Sequence, residues 1–196
     1  MFLLIVGILW YFLPSGQQKI QNINNSNFNI VVLGDSLSYG KGASHEEAYP
    51  ALLEKSLNRP VINLGVNGDT AVRGRMRVNE AVEYQPYMVL IEFGGNDFMQ
   101  QVPFEQTLSA MEQMVDTIQS AGAVAVIVDT GGSYVMGKYS KSYKKLARQK
   151  GAVFVPGILD GVMGKRGLMS DQVHPNAAGY KIIAEKVEKA IKPYLK

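Results

Sequence analysis

The chain has 196 residues, 46% of them hydrophobic, and its 20 basic and 17 acidic side chains leave a formal charge of +3. That length suits one domain with a sizeable core and is short for two, and no basic stretch interleaved with aromatics marks a nucleic-acid surface. Cysteine is absent, which excludes a disulfide framework, a thiol nucleophile and a Cys-ligated metal, and leaves the redox compartment open.

In chain order, the first element is MFLLIVGILWYFL, residues 1–13, uncharged and ending at Pro14. It falls short of the roughly 17–25 residues of a spanning helix and fits a signal-peptide core better. No Lys or Arg precedes it, however, and "LPSGQQ" is a poor cleavage site, so a retained anchor and an apolar segment packed on the domain both stay open. Residues 15–27, rich in Asn and Gln, read as a flexible polar tether. The expectation is therefore an apolar signal or anchor with its tether over 1–28, a folded domain over 29–196, and a location outside the cytoplasmic membrane with membrane association through residues 1–13.

From Asn29 onward, the runs IVVLGD, PVINLG, YMVLIEFGG, GAVAVIVDTGG and GAVFVPG alternate with amphipathic stretches at 46–57, 72–83, 104–120 and 140–150, and a last one closes the chain. Continuous apolar runs of this length suit strands buried on both faces of a parallel sheet. Strand and helix in alternation predict a three-layer α/β/α sandwich, doubly wound on five parallel strands. Ligands of such sheets bind beyond the carboxyl ends of the strands. Glycines and polar residues gather at those ends, as GDS (34–36), GVNGDT (65–70), FGGNDF (93–98) and DTGGSY (129–134).

The stretch VVLGDSLSYGKG (31–42) resembles two well-known loops only in part. Five residues separate Gly34 from Gly40-Lys41, and Gly42 follows the lysine, whereas a phosphate-binding loop has four intervening residues and then Ser or Thr. Ser38 likewise replaces the second glycine of a Gly-x-Ser-x-Gly elbow. A serine at the carboxyl end of a strand remains. Ser36 is the candidate nucleophile, with helix capping as its plain alternative.

A serine needs a base, and only two histidines exist. His45 reads as a solvated residue at a helix start. His174 follows Asp171 by three residues in SDQVHPN, a spacing that lets the carboxylate reach imidazole Nδ1 and leaves Nε2 to take the serine proton. Donors for an oxyanion are the Ser36 backbone N–H, the Gly68 N–H and the Asn96 side-chain amide. The bland readings are an Asn-Gly turn at Gly68 and a loop cap at Asn96.

These residues resemble the SGNH, or GDSL, hydrolases: GDSLSYG, NGDT, GGND and DQVHPN match the four blocks of that family in order, over nearly all of the chain from Asn29. The resemblance implies a flavodoxin-like fold and the chemistry of small bacterial arylesterases, thioesterases and lysophospholipases. It implies Ser36 as nucleophile, Gly68 and Asn96 as oxyanion donors, Asp171 and His174 as the remaining pair, and no metal or organic cofactor. Tyr39 departs from the small residues common at its position. Apolar residues around the predicted site (Phe98, Met99, Val102, Tyr134, Val135, Met136, Ile158, Leu159, Val162, Met163, Leu168, Met169) favour ester or lipid substrates with apolar acyl chains. Two other readings stay open, a deacetylase of cell-envelope carbohydrate and a membrane-tethered binding module without turnover.

Overall fold

A computed structural model describes residues 19–131 and 136–196; the apolar run 1–13 and the Tyr134-Val135 pair lie outside the described residues. Five strands form one parallel sheet: β1 (Ile30–Gly34), β2 (Val61–Gly65), β3 (Met88–Glu92), β4 (Val124–Val128) and β5 (Val153–Val155). Their order is β2-β1-β3-β4-β5, the flavodoxin-like order, so the chain reverses direction across the sheet between β1 and β3. In β1, β3 and β4 every residue is buried, because helices cover both faces. All of β2 is half-buried, as its place at the sheet edge requires.

The helices are α1 (Ser36–Tyr39), α2 (Tyr49–Leu57), α3 (Ala71–Met76), α4 (Val78–Glu83), α5 (Gly95–Met99), α6 (Phe104–Ser120), α7 (Gly137–Lys150) and α8 (Ala177–Ile191). One core, with Val32, Leu90 and Val126 from the strands, takes the apolar stripe Tyr180, Ile183, Val187 and Ile191 of α8. The other, with Val31, Leu33 and Ile91, takes Met111, Met114, Val115 and Ile118 of α6. The alternation of strand residues between two cores is the period-2 geometry of a pleated strand.

Two expectations need correction. The stretch 72–83 is two helices, because the chain breaks at Arg77 (φ −117°, ψ 13°). That guanidinium donates to the carbonyls of Leu64 and Gly34 at 2.7 and 2.9 Å and binds Asp69, contacts that tie the carboxyl ends of β1 and β2 together. The tether is the second. Over 20–27 the chain lies on the domain: Ile20 is buried in the core, Asn22 Nδ2 donates to the carbonyls of Gln119 and Ala123, and Asn25 Nδ2 donates to that of Tyr87. Asparagine side chains here satisfy backbone carbonyls at the ends of other elements, so the folded body begins about nine residues before Asn29.

Candidate active site

Ser36 stands two residues beyond the carboxyl end of β1 and opens α1. The helix cap is Asp35, whose Oδ1 accepts the Leu37 N–H at 2.9 Å. With the cap supplied by its neighbour, the serine hydroxyl is free for other work. Ser36 Oγ stands 3.1 Å from His174 Nε2, and His174 Nδ1 stands 2.7 Å from Asp171 Oδ2. Asp171 Oδ1 accepts the backbone N–H groups of Val173 and His174, each at 2.8 Å. The Val173 N–H first, then the imidazole, then the His174 N–H hold the Asp171 carboxyl down at about 2. Ser36 and His174, separated by 138 positions, thus meet with Asp171 in a three-membered hydrogen-bonded line.

Asn96 sits in α5, just beyond β3, so it faces Ser36 across the β1/β3 reversal. Its Nδ2 donates to Asp35 Oδ2 at 2.9 Å. This bond spans 61 positions, engages one N–H of the amide and leaves the second for a ligand. Gly68 lies in a turn closed by Asp69 N–H to Val66 O at 3.1 Å. Its φ of +75° with open space around a would-be Cβ shows that backbone conformation, and not close packing, requires glycine there. The Gly68 carbonyl is held by Gln100 Nε2 at 2.9 Å and by the Arg73 guanidinium. At Gly34 the reason for glycine is steric. Its φ is ordinary, and a Cβ there would lie 2.1 Å from Ser38 Oγ and 3.0 Å from Glu92 Oε2, so glycine makes room for a buried polar contact.

An apolar cavity of about 170 Å³ opens beside Ser36, Asn96 and His174; Gly68 is not among its lining residues. Its apolar wall is Leu37, Phe98, Met99, Met136, Leu159, Met163 and Val173. Of the apolar residues flagged in the sequence, Ile158 and Val162 are core and Leu168 and Met169 pack against it. Thr130 and Gly131 add the far side, on a loop that Asp129 holds by accepting from Gly131 N–H, Ser140 Oγ–H and Gly157 N–H. His45 is exposed in a short 3₁₀ turn, away from the cavity. No group of three or more His, Cys, Asp or Glu among the described residues could hold a metal ion.

The model of the GDSL-like lipase/acylhydrolase family matches residues 32–182. The chain belongs to this family. It is 30% identical to the esterase TesA of Pseudomonas aeruginosa over 98% of both chains. It is also 30% identical to the thioesterase 1/protease 1/lysophospholipase L1 of Escherichia coli, over 84% of this chain and 83% of that one. A crystal structure of TesA superposes with a TM-score of 0.80, covering 85% of this chain and 99% of its own at 30% identity. Within this GDSL acylhydrolase, sequence reasoning missed Asp35 as cap and anchor of Asn96, and Glu92, a carboxyl with 0% exposure at the end of β3. The one signal for Glu92 was an acid closing the otherwise apolar run MVLIE.

Proposed function

We propose that this GDSL acylhydrolase cleaves carboxylic esters and thioesters of apolar acyl chains, with Ser36 as nucleophile. The observation that carries the reading is the Ser36–His174–Asp171 line at 3.1 and 2.7 Å opening into an apolar cavity. His174 Nε2 takes the Ser36 proton as Oγ attacks the carbonyl carbon, and Asp171 holds the imidazolium that results. The Ser36 N–H, in the first turn of α1 where amides lack intrahelical acceptors, joins the Gly68 N–H and the free Asn96 N–H in holding the oxyanion. His174 then protonates the leaving alcohol or thiol, and water attacking the acyl-enzyme by the same route regenerates Ser36.

The names of the relatives, an esterase and a thioesterase/lysophospholipase, support the same ester chemistry. The apolar wall counts against a carbohydrate deacetylase, and the assembled triad counts against a binding module without turnover. Export or anchoring outside the cytoplasmic membrane rests on the apolar sequence 1–13; among the described residues no helix is long and apolar enough to cross a membrane. The test is a panel of p-nitrophenyl esters from acetyl to palmitoyl beside acyl-CoA and lysophospholipid, together with fluorophosphonate labelling located by peptide mass. Hydrolysis with the label on Ser36 is expected. An unlabelled chain that turns over none of these substrates overturns the proposal.

A further inference from the structure

Beneath the oxyanion side of the site lies a pair of buried carboxyl groups that the triad does not use. Both oxygens of Asp35 accept N–H groups, Oδ1 from Leu37 and Oδ2 from Asn96, each at 2.9 Å. Glu92 stands in register with Gly34 of β1, one residue before Asp35, and both acids are buried, so the two carboxyl groups are neighbours shut away from water. Glu92 Oε2 accepts from Ser38 Oγ at 2.9 Å, and Ser38 Oγ lies 2.9 Å from Tyr49 Oη. Glu92 Oε1 is buried and finds no N–H or O–H donor. Two carboxyl groups bond to each other only when one carries a proton, and two ionised ones could not share so dry a place. Asp35, which already accepts two donors, is the better carboxylate. Glu92 is the better acid.

We propose that Glu92 is a neutral, protonated acid that donates to Asp35, and that the ionised Asp35 in turn orients the Asn96 amide so that its free N–H, and not its oxygen, faces the oxyanion. The two acids are thus positioning residues for the hydrolysis proposed above, and the inference rests on that reading. Burial pushes both carboxyls up, Asp35 to about 7 and Glu92 well above the usual carboxylate range, in agreement with a single shared proton. The other titratable groups that face the pair are Tyr49 of α2, Asp97 of α5, Tyr143 of α7 and Tyr180 of α8. The four are phenols and a carboxyl, neutral or anionic at any pH, so none of them brings a cation to the pair, and burial raises the pKa of each.

Two substitutions separate the roles. In Glu92→Gln the amide N–H takes over the donation to Asp35 and the amide oxygen still accepts from Ser38, so kcat stays within about threefold of the parent. In Asp35→Asn an N–H replaces one of the two acceptors, the Asn96 donor is withdrawn, and kcat falls about 30- to 100-fold while KM holds within twofold. An infrared difference spectrum at neutral pH, parent minus Glu92→Gln, should show the carbonyl stretch of one protonated carboxylic acid. Absence of that band, or a Glu92→Gln variant with an unchanged melting temperature that loses as much kcat as Asp35→Asn, overturns the inference. The band needs no activity, so it decides the matter even where Asp35→Asn fails to fold. A parent that fluorophosphonate does not label overturns instead the hydrolase reading.

Discussion

Asp171 holds His174 through both of its oxygens: Oδ1 accepts the histidine's backbone N–H at 2.8 Å, while Oδ2 lies 2.7 Å from its ring Nδ1. One short loop therefore fixes the tautomer of the ring and the plane in which Nε2 points at Ser36. The acid does this while half exposed, at 49% for its side chain, so hydrogen bonding, not burial, keeps it ionised.

Asp171→Asn should keep the loop but reverse the tautomer preference, because an amide N–H cannot accept from Nδ1. By analogy with the well-studied serine protease triads, kcat should fall by roughly 10⁴ with a small change in KM. The folded carboxyl titrates at about 2 against an ordinary value of 3.8. Its contribution to stability is thus complete above about pH 4 and lost as the pH falls toward 2. Thermal melts of parent and variant between pH 2 and 6 should converge at the acid end. Melting curves that stay parallel across that range would contradict the assignment.

A second prediction concerns where the folded body starts. A chain beginning at Lys19 should fold and hydrolyse a soluble ester as the full chain does. One beginning at Asn29 loses the buried Ile20 and the Asn22 and Asn25 bonds to Gln119, Ala123 and Tyr87. At about 1 kcal/mol per hydrogen bond and about 2 for an isoleucine, its melting temperature should drop by roughly 10–20 °C. Equal melting temperatures for the two would show the segment to be ornamental.

What was legible in the sequence was what is local or repetitive. The Asp-x-x-His pair is a three-residue contact, and β1, β3 and β4 announced themselves because burial on both faces leaves them wholly apolar. Ser36 followed from its place at a strand end. The bond from Asn96 to Asp35 spans 61 positions, and no periodicity reports such a contact. The same holds for Arg77, whose reach to two strand-end carbonyls splits a stretch that helical spacing alone reads as continuous, and for Asn22, whose partners lie about a hundred residues away.

The cavity predicts an acyl preference. Each methylene that Leu159, Met163, Phe98 and Met99 cover contributes about 0.8 kcal/mol, close to fourfold in kcat/KM while space lasts. Activity should climb from acetyl to medium-chain p-nitrophenyl esters. Met163→Trp, which fills the wall, should flatten that climb while sparing acetyl ester hydrolysis. A profile already flat or falling in the parent would favour an acetyl-specific enzyme.

The final prediction tells nucleophile from oxyanion donor and both from a phosphate loop. Ser36→Ala should abolish fluorophosphonate labelling and leave weak residual turnover, with substrate still bound. Asn96→Ala removes a hydrogen bond that matters chiefly in the transition state, so kcat should fall by roughly 10²–10³ with KM little changed and labelling slowed but present. Lys41 sits beyond α1, outside the cavity lining, and its carbonyl, not its ammonium, is the group engaged, accepting from Tyr180 Oη at 2.8 Å. Lys41→Ala should therefore leave ester hydrolysis nearly intact. If it instead removed activity along with a measurable affinity for nucleotide, GDSLSYGKG would be a phosphate cradle and Ser36 no nucleophile.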